Sequence, residues 1–227
     1  LEQPFTRGTL TNSDSRGFPD WDALYDKQEV ETMPWYNEKL DTDLGEEISN
    51  GNLSVNGRFL DLGTGPGTQA VQLARRGFTV IGSDISKSAI YRAKEVYASE
   101  SNVIFVIDNI LDSRLIDDQF DYIFDRGCFH VLQPVDRPSY IKEIKRILKN
   151  NGILFLKCFS ADEKRDEGPY RFSKRQISQI FEKEAFKIKR IKETVYQGTL
   201  DPLPKALFIL LTNHKSINHS LKMPNNI

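Results

Sequence analysis

The chain has 227 residues with 31 basic and 32 acidic side chains, a formal charge of −1, enough length for one sizeable α/β core. Near-neutral charge argues against an electrostatic grip on nucleic acid, and no apolar run approaches the roughly 20 residues of a membrane span. With no signal-peptide pattern at its start and two cysteines, Cys128 and Cys158, the expectation is a cytoplasmic protein without a disulfide scaffold.

Residues 1–19 are polar and punctuated by Pro4, Gly8, Gly17 and Pro19, which predicts an irregular arm. Trp21, Leu24 and Tyr25 share one helical face, predicting a short helix. The Met33-Pro34-Trp35-Tyr36 step reads as a turn whose paired aromatics are either a packing clamp or part of a ligand cover. A helix over 43–49 precedes Gly51 and Gly57.

Phe59 to Leu62 reads as a buried strand that stops in the alternating glycines Gly63, Gly65 and Gly67. A helix over 68–76 and a strand over 78–83, ending at Asp84, complete a βαβ unit. Asp84 lies 17 residues beyond Gly67, near the roughly 20 expected of an acid that binds ribose hydroxyls; the alternative is an N-cap on the next helix.

A helix over 87–99 leads to a third strand, 103–107, ending at Asp108-Asn109, and a fourth, 120–124, ending at Asp125-Arg126-Gly127. An amphipathic helix over 137–149, stopped by Asn150-Asn151-Gly152, precedes a fifth strand at 153–159. The charged stretch 160–169 reads as a loop over the site, and Ser173 with Gln176 as a capping box. The last two strands, 186–196 and 205–211, are separated too briefly for a helical crossover, so they are predicted antiparallel neighbours.

Every conspicuous polar group thus follows a strand end, on the rim where open parallel sheets bind ligands. Leu60 to Gly67, with Ser83-Asp84-Ile85-Ser86, resembles the first two motifs of the class I S-adenosylmethionine-dependent methyltransferases, and the likeness in element order runs over 58–211. The resemblance implies an α/β Rossmann-like doubly wound sheet of seven strands, order 3-2-1-4-5-7-6, with strand 7 antiparallel and helices on both faces. It also implies an N-terminal arm and helical cover at 1–57, a methyltransferase domain at 58–213 and a polar tail at 214–227.

By the same resemblance the cofactor is S-adenosylmethionine. It would meet Asp61, Gly63, Thr64, Gly65 and Gly67, have its ribose held by Asp84 beside Ile85, and its adenine by Asp108 and Asn109. Asp125 would frame the pocket, and Trp35 would close over the sulfonium, whose charge an aromatic face attracts; a core-edge tryptophan is the other reading. A nicotinamide dehydrogenase needs G-x-G-x-x-G, whereas Thr68 stands at the third glycine position here.

Asp125-Arg126-Gly127 is similar to a stretch of the thiopurine and thiol methyltransferase branch, in which the arginine faces substrate. Arg126 is then a substrate contact, with Tyr36 beside it, or else a plain salt-bridge partner. Asp125 and His130 are the candidate general bases, although a histidine between Phe129 and Val131 also reads as structural. The cysteines read as small buried hydrophobes, without the spacing of a metal site. The expected activity is in-line methyl transfer to a small-molecule acceptor, with no nucleic-acid partner. The alternatives are a non-catalytic cofactor-binding module and an NAD-dependent oxidoreductase.

Overall fold

The computed structural model describes residues 18–51, 53–184 and 186–215. The predicted arm up to residue 17 and nearly all of the predicted tail lie outside them. The elements are α1 (Trp21–Lys27), α2 (Thr42–Ser49), β1 (Arg58–Leu62), α3 (Thr68–Ala74), β2 (Thr79–Asp84), α4 (Lys87–Val96), β3 (Val103–Ile107) and β4 (Phe120–Arg126). Then follow α5 (Arg137–Ile147), β5 (Leu148–Ser160), β6 (Arg171–Phe172), α6 (Lys174–Phe181), β7 (Phe186–Val195) and β8 (Lys205–Asn213).

One sheet runs β3-β2-β1-β4-β5-β8-β7, with two-residue β6 beside β5. Strands β1 to β5 pair in parallel, and β8 is antiparallel to both β5 and β7. Leaving out β6, this is the predicted Rossmann-like order. Because successive strand residues face opposite ways, Phe59 joins a core with Phe124, Phe155 and Phe208 beneath α3 and α4. Leu60 joins Ile123, Leu154 and Ile144 beneath α5. Helices therefore cover both faces, and the parallel strands are buried between them.

Helix α4 ends at Val96, short of the predicted 99, and one further helix end and the alternative reading of Asp84 are corrected. Helix α5 stops at Ile147, and β5 already begins at Leu148, paired with Phe120. The cause lies far along the chain: the Asn213 amide donates to the carbonyls of Lys145 (3.0 Å) and Leu148 (2.8 Å), ending the helix from outside. Asp84 is not an N-cap either. Ser86 caps α4, its hydroxyl accepting from Ala89 N at 3.1 Å, which leaves the Asp84 carboxylate for the site. The capping box of Ser173 and Gln176 forms at the start of α6 as predicted.

Candidate active site

The carboxyl ends of β1, β2 and β4, with the turn after β3, open into a cavity of about 850 Å³. Its floor is Gly63, Ser83 and Asp84, with Asp108 and Asn109 to one side. Trp21, Tyr25, Pro34 and Trp35 form a roof, and Phe159 and Tyr196 wall the far end. Residues 165–169, Leu200, Asp201 and Pro204 surround the mouth, so the loop predicted over the site does line it.

The turn that carries Gly63 to the floor has left-handed backbone, which favours glycine. Gly63 and Gly65 have φ of 66° and 52°. A Cβ on Gly65 would lie 2.6 Å from Tyr25 Oη. Asp84 braces this turn: one carboxylate oxygen accepts from Gly65 N and the other from Ser86 N, both at 2.9 Å. Burial raises the Asp84 pKa above the ordinary carboxylate value, opposed by the hydrogen bonds from Ser86, Gly65 and Ile85. Next to it, the buried Ser83 hydroxyl has no hydrogen-bond partner among the described residues. Asp108 accepts from Ser113 Oγ (2.7 Å) and Arg114 N (2.9 Å), which fixes its carboxylate on the cavity wall.

The other predicted residues are distributed differently from expectation. Asp61, Thr64 and Gly65 border a separate void of about 40 Å³ beneath the roof. Asp61 accepts from Thr64 Oγ1 at 2.5 Å, and burial lifts its pKa to about 6. Gly67 faces Phe105 and Ala93, so its missing side chain makes room for packing. Tyr36, expected at the substrate, borders the small void instead of the large cavity. Ile85 and Trp35 do line the large cavity, Trp35 donating from Nε1 to Tyr25 Oη at 3.1 Å.

Both candidate bases are engaged by hydrogen bonds within the protein. Asp125 is fully buried, and its carboxylate accepts from the backbone N–H groups of Gly127, Cys128 and Phe129 and from Tyr140 Oη at 2.6 Å. Those bonds fold the turn after β4 and leave no lone pair directed at a substrate. Burial raises its pKa to about 6 against their opposing effect.

His130 does line the cavity, but Phe159 N donates to its Nδ1 at 3.2 Å, so the ring proton resides on Nε2. Burial first, and the Arg126 charge second, depress its pKa to about 3. At neutral pH the side chain is thus uncharged, with Nδ1 engaged by Phe159 N. Since the native ring titrates only near 3, activity is expected to show no His130 inflection from roughly pH 5 to 8. A His130→Gln variant should retain the shape of the pH–rate profile, and a wild-type step near 6.5 that this variant removed would refute the assignment.

Cys128 lines the cavity and Cys158 is buried in the core. Burial pushes both thiols well up in pKa, reinforced by the Asp125 charge.

Lys157 is the residue that pattern reading missed. It stands in the apolar run of β5 with no exposure and donates to Asp41, Asp43 and Gln197 Oε1, each at 2.7 Å. A lysine between Leu156 and Cys158 in a buried strand was the available signal, since such a charge requires partners. Burial acts to raise the Asp43 pKa, but the Lys157 hydrogen bond and charge, then Lys192, hold it below the usual value.

Tight glycine backbone, an acid on the β2 end and a second acid just past β3 stand together on the rim where open α/β sheets bind nucleotides. The buried Ser83 hydroxyl, which has no partner among the described residues, and the Gly63 backbone on the cavity floor fit a bound S-adenosylmethionine. Residues 59–152 match the methyltransferase domain family model. The chain belongs to the class I S-adenosylmethionine-dependent methyltransferases, and S-adenosylmethionine is its cofactor.

The uncharacterized methyltransferase C750.03c of Schizosaccharomyces pombe is 34% identical over 119 residues, covering 50% of this chain and 82% of that protein. EEF1A lysine methyltransferase 2 of Danio rerio is 28% identical over 153 residues, 60% of this chain; the chain spans only 65% of that relative's length. Thiocyanate methyltransferase 1 of Arabidopsis thaliana is 27% identical over 168 residues, 73% of each chain. Among solved structures, one from work on conversion of a disulfide bond into a thioacetal group during echinomycin biosynthesis superposes with a TM-score of 0.75. It is 20% identical and covers 86% of this chain and 92% of that one.

Proposed function

We propose that the chain transfers methyl groups to a small-molecule acceptor, with a thiol or related sulfur nucleophile as the best-supported class. The observation that carries this reading is the enclosed chamber: about 850 Å³, within the roughly 300–1,000 Å³ of small-ligand clefts, under a roof tied to the opposite wall. Gly63, Ser83, Asp84, Ile85, Asp108 and Asn109 would hold the cofactor, which supplies a methyl activated for in-line displacement. Trp35 would cover it, and the acceptor would enter through the mouth toward Phe159, Tyr196 and His130.

At that inner end, among the described residues, nothing accepts a proton near neutral pH. His130 is neutral, the Cys128 thiol is held protonated, and burial raises the Tyr196 hydroxyl to about 12. The site thus favours an acceptor that is nucleophilic without losing a proton there, as a thiolate is and an alcohol is not. The thiocyanate methyltransferase among the relatives supports the same class.

A screen for S-adenosylhomocysteine formation against small thiols, phenols, amines and alcohols is expected to respond first to thiols. Below the acceptor's own pKa, the rate should rise about tenfold per pH unit, following the thiolate fraction. An amine, drawn to the mouth as its cation and methylated as the free base after releasing its proton to solvent, is the second reading. Asp166, Glu167 and Asp201 at the mouth favour it, as does the lysine methyltransferase relative. Turnover on a protein lysine with none on small thiols would replace the first reading by the second.

A further inference from the structure

Arg126 leaves the end of β4 on the cavity's edge, yet its side chain is only 7% exposed. Its Nε donates to Asp41 Oδ2 at 3.2 Å, its Nη1 to the Trp35 carbonyl at 2.9 Å, and its Nη2 to the Gln197 carbonyl. The guanidinium carbon lies 4.5 Å from the centre of the Tyr196 ring, and Tyr196 Oη donates back to the Arg126 carbonyl at 2.7 Å. One side chain therefore binds the roof, the N-terminus of α2 and the segment after β7.

The seam that it bridges is closed further along by backbone. Thr199 N donates to the Pro34 carbonyl at 3.1 Å. A Cβ on Gly198 would lie 2.0 Å from that same carbonyl oxygen. Three acceptors taken by three different guanidinium nitrogens match the rigid five-donor fork of arginine, and a lysine ammonium cannot reproduce them.

We propose that Arg126 is the latch of the roof, a positioning residue that holds Trp35 over the chamber and excludes water during transfer, and is not a substrate contact. The consequence for catalysis rests on the methyl-transfer reading. The latch itself is tested without any ligand.

Trp21 and Trp35 are the two tryptophans of the sequence, packed edge to face at 5.9 Å, and both line the roof of the chamber. Intrinsic fluorescence therefore reports on the roof alone. In Arg126→Lys and Asp41→Asn, acrylamide quenching is expected to rise about twofold and S-adenosylmethionine affinity to fall about tenfold, because the closed form becomes a minor state. With a thiol acceptor, kcat should fall more than KM rises. Gly198→Ala forces the same seam apart without touching the guanidinium and should reproduce the rise in quenching.

A substrate contact predicts the opposite pattern. Acceptor KM rises in Arg126→Lys alone, with wild-type quenching in all three variants, and that result overturns the latch. Lys157 still pairs with Asp41 when Arg126 is changed, which favours a folded variant. Should Arg126→Lys fail to fold, unchanged quenching in both Asp41→Asn and Gly198→Ala is equally decisive against it. Failure of the wild-type protein to bind S-adenosylmethionine would count against the methyl-transfer reading alone, since quenching judges the latch independently.

Discussion

Lys157→Met is expected to destabilise the protein by about 3–5 kcal/mol, because it leaves two buried carboxylates without their shared cation. Asp41 and Asp43 are 0% and 2% exposed, and each contacts the Lys157 ammonium at 2.7 Å. Asp41 would retain the more distant Arg126 Nε and the Asp43 N–H, and Asp43 the partly exposed Lys192 and the Thr194 hydroxyl. Methionine matches the length of the lysine stem, so the loss comes from charge and not from a cavity. For a chain of this size the thermal midpoint should fall by roughly 10 °C. A melt within 2 or 3 °C of wild type, about 1 kcal/mol, would show that water reaches the pair.

Asp84→Ala should weaken S-adenosylmethionine binding by at least about 100-fold, close to 2.7 kcal/mol. The substitution removes a proposed ribose contact, and it also frees the Gly65 and Ser86 N–H groups that the carboxylate now fixes. Each charge-assisted bond of this kind contributes roughly 1.5–3 kcal/mol, so both the contact and the shape of the glycine turn are lost. Asp84→Asn retains the size and an acceptor oxygen, and its affinity should lie between the two. Titration calorimetry on variants with wild-type circular dichroism separates the cases. Unchanged affinity in Asp84→Ala would remove Asp84 from the cofactor site.

The sheet was legible because its strands are short apolar runs that each stop at a polar or glycine step. The terminal hairpin was legible because the stretch between β7 and β8 is too short for a crossover. Legibility ended where long-range contacts decide. The length of α5 depends on Asn213, some 65 residues beyond Leu148. The environment of Lys157 depends on Asp41, 116 residues earlier. The polar rim after β4 illustrates the same point: Asp125 and Arg126 sit where catalytic residues often sit, but their hydrogen bonds are directed into the protein. Neighbours in sequence did not reveal that Tyr140 and the Trp35 carbonyl would claim them.

The segment shared with the methyltransferase domain family, 59–152, contains Gly63, Asp84, Asp108 and Asn109. It ends before Phe159, the 165–169 stretch and Tyr196, and begins after Trp21 and Trp35. The family segment therefore takes in the residues proposed to hold the cofactor, and the residues proposed to meet the acceptor stand on either side of it. On the proposed reading, a change of acceptor asks for new side chains in those two flanking stretches and for none in the strands between them.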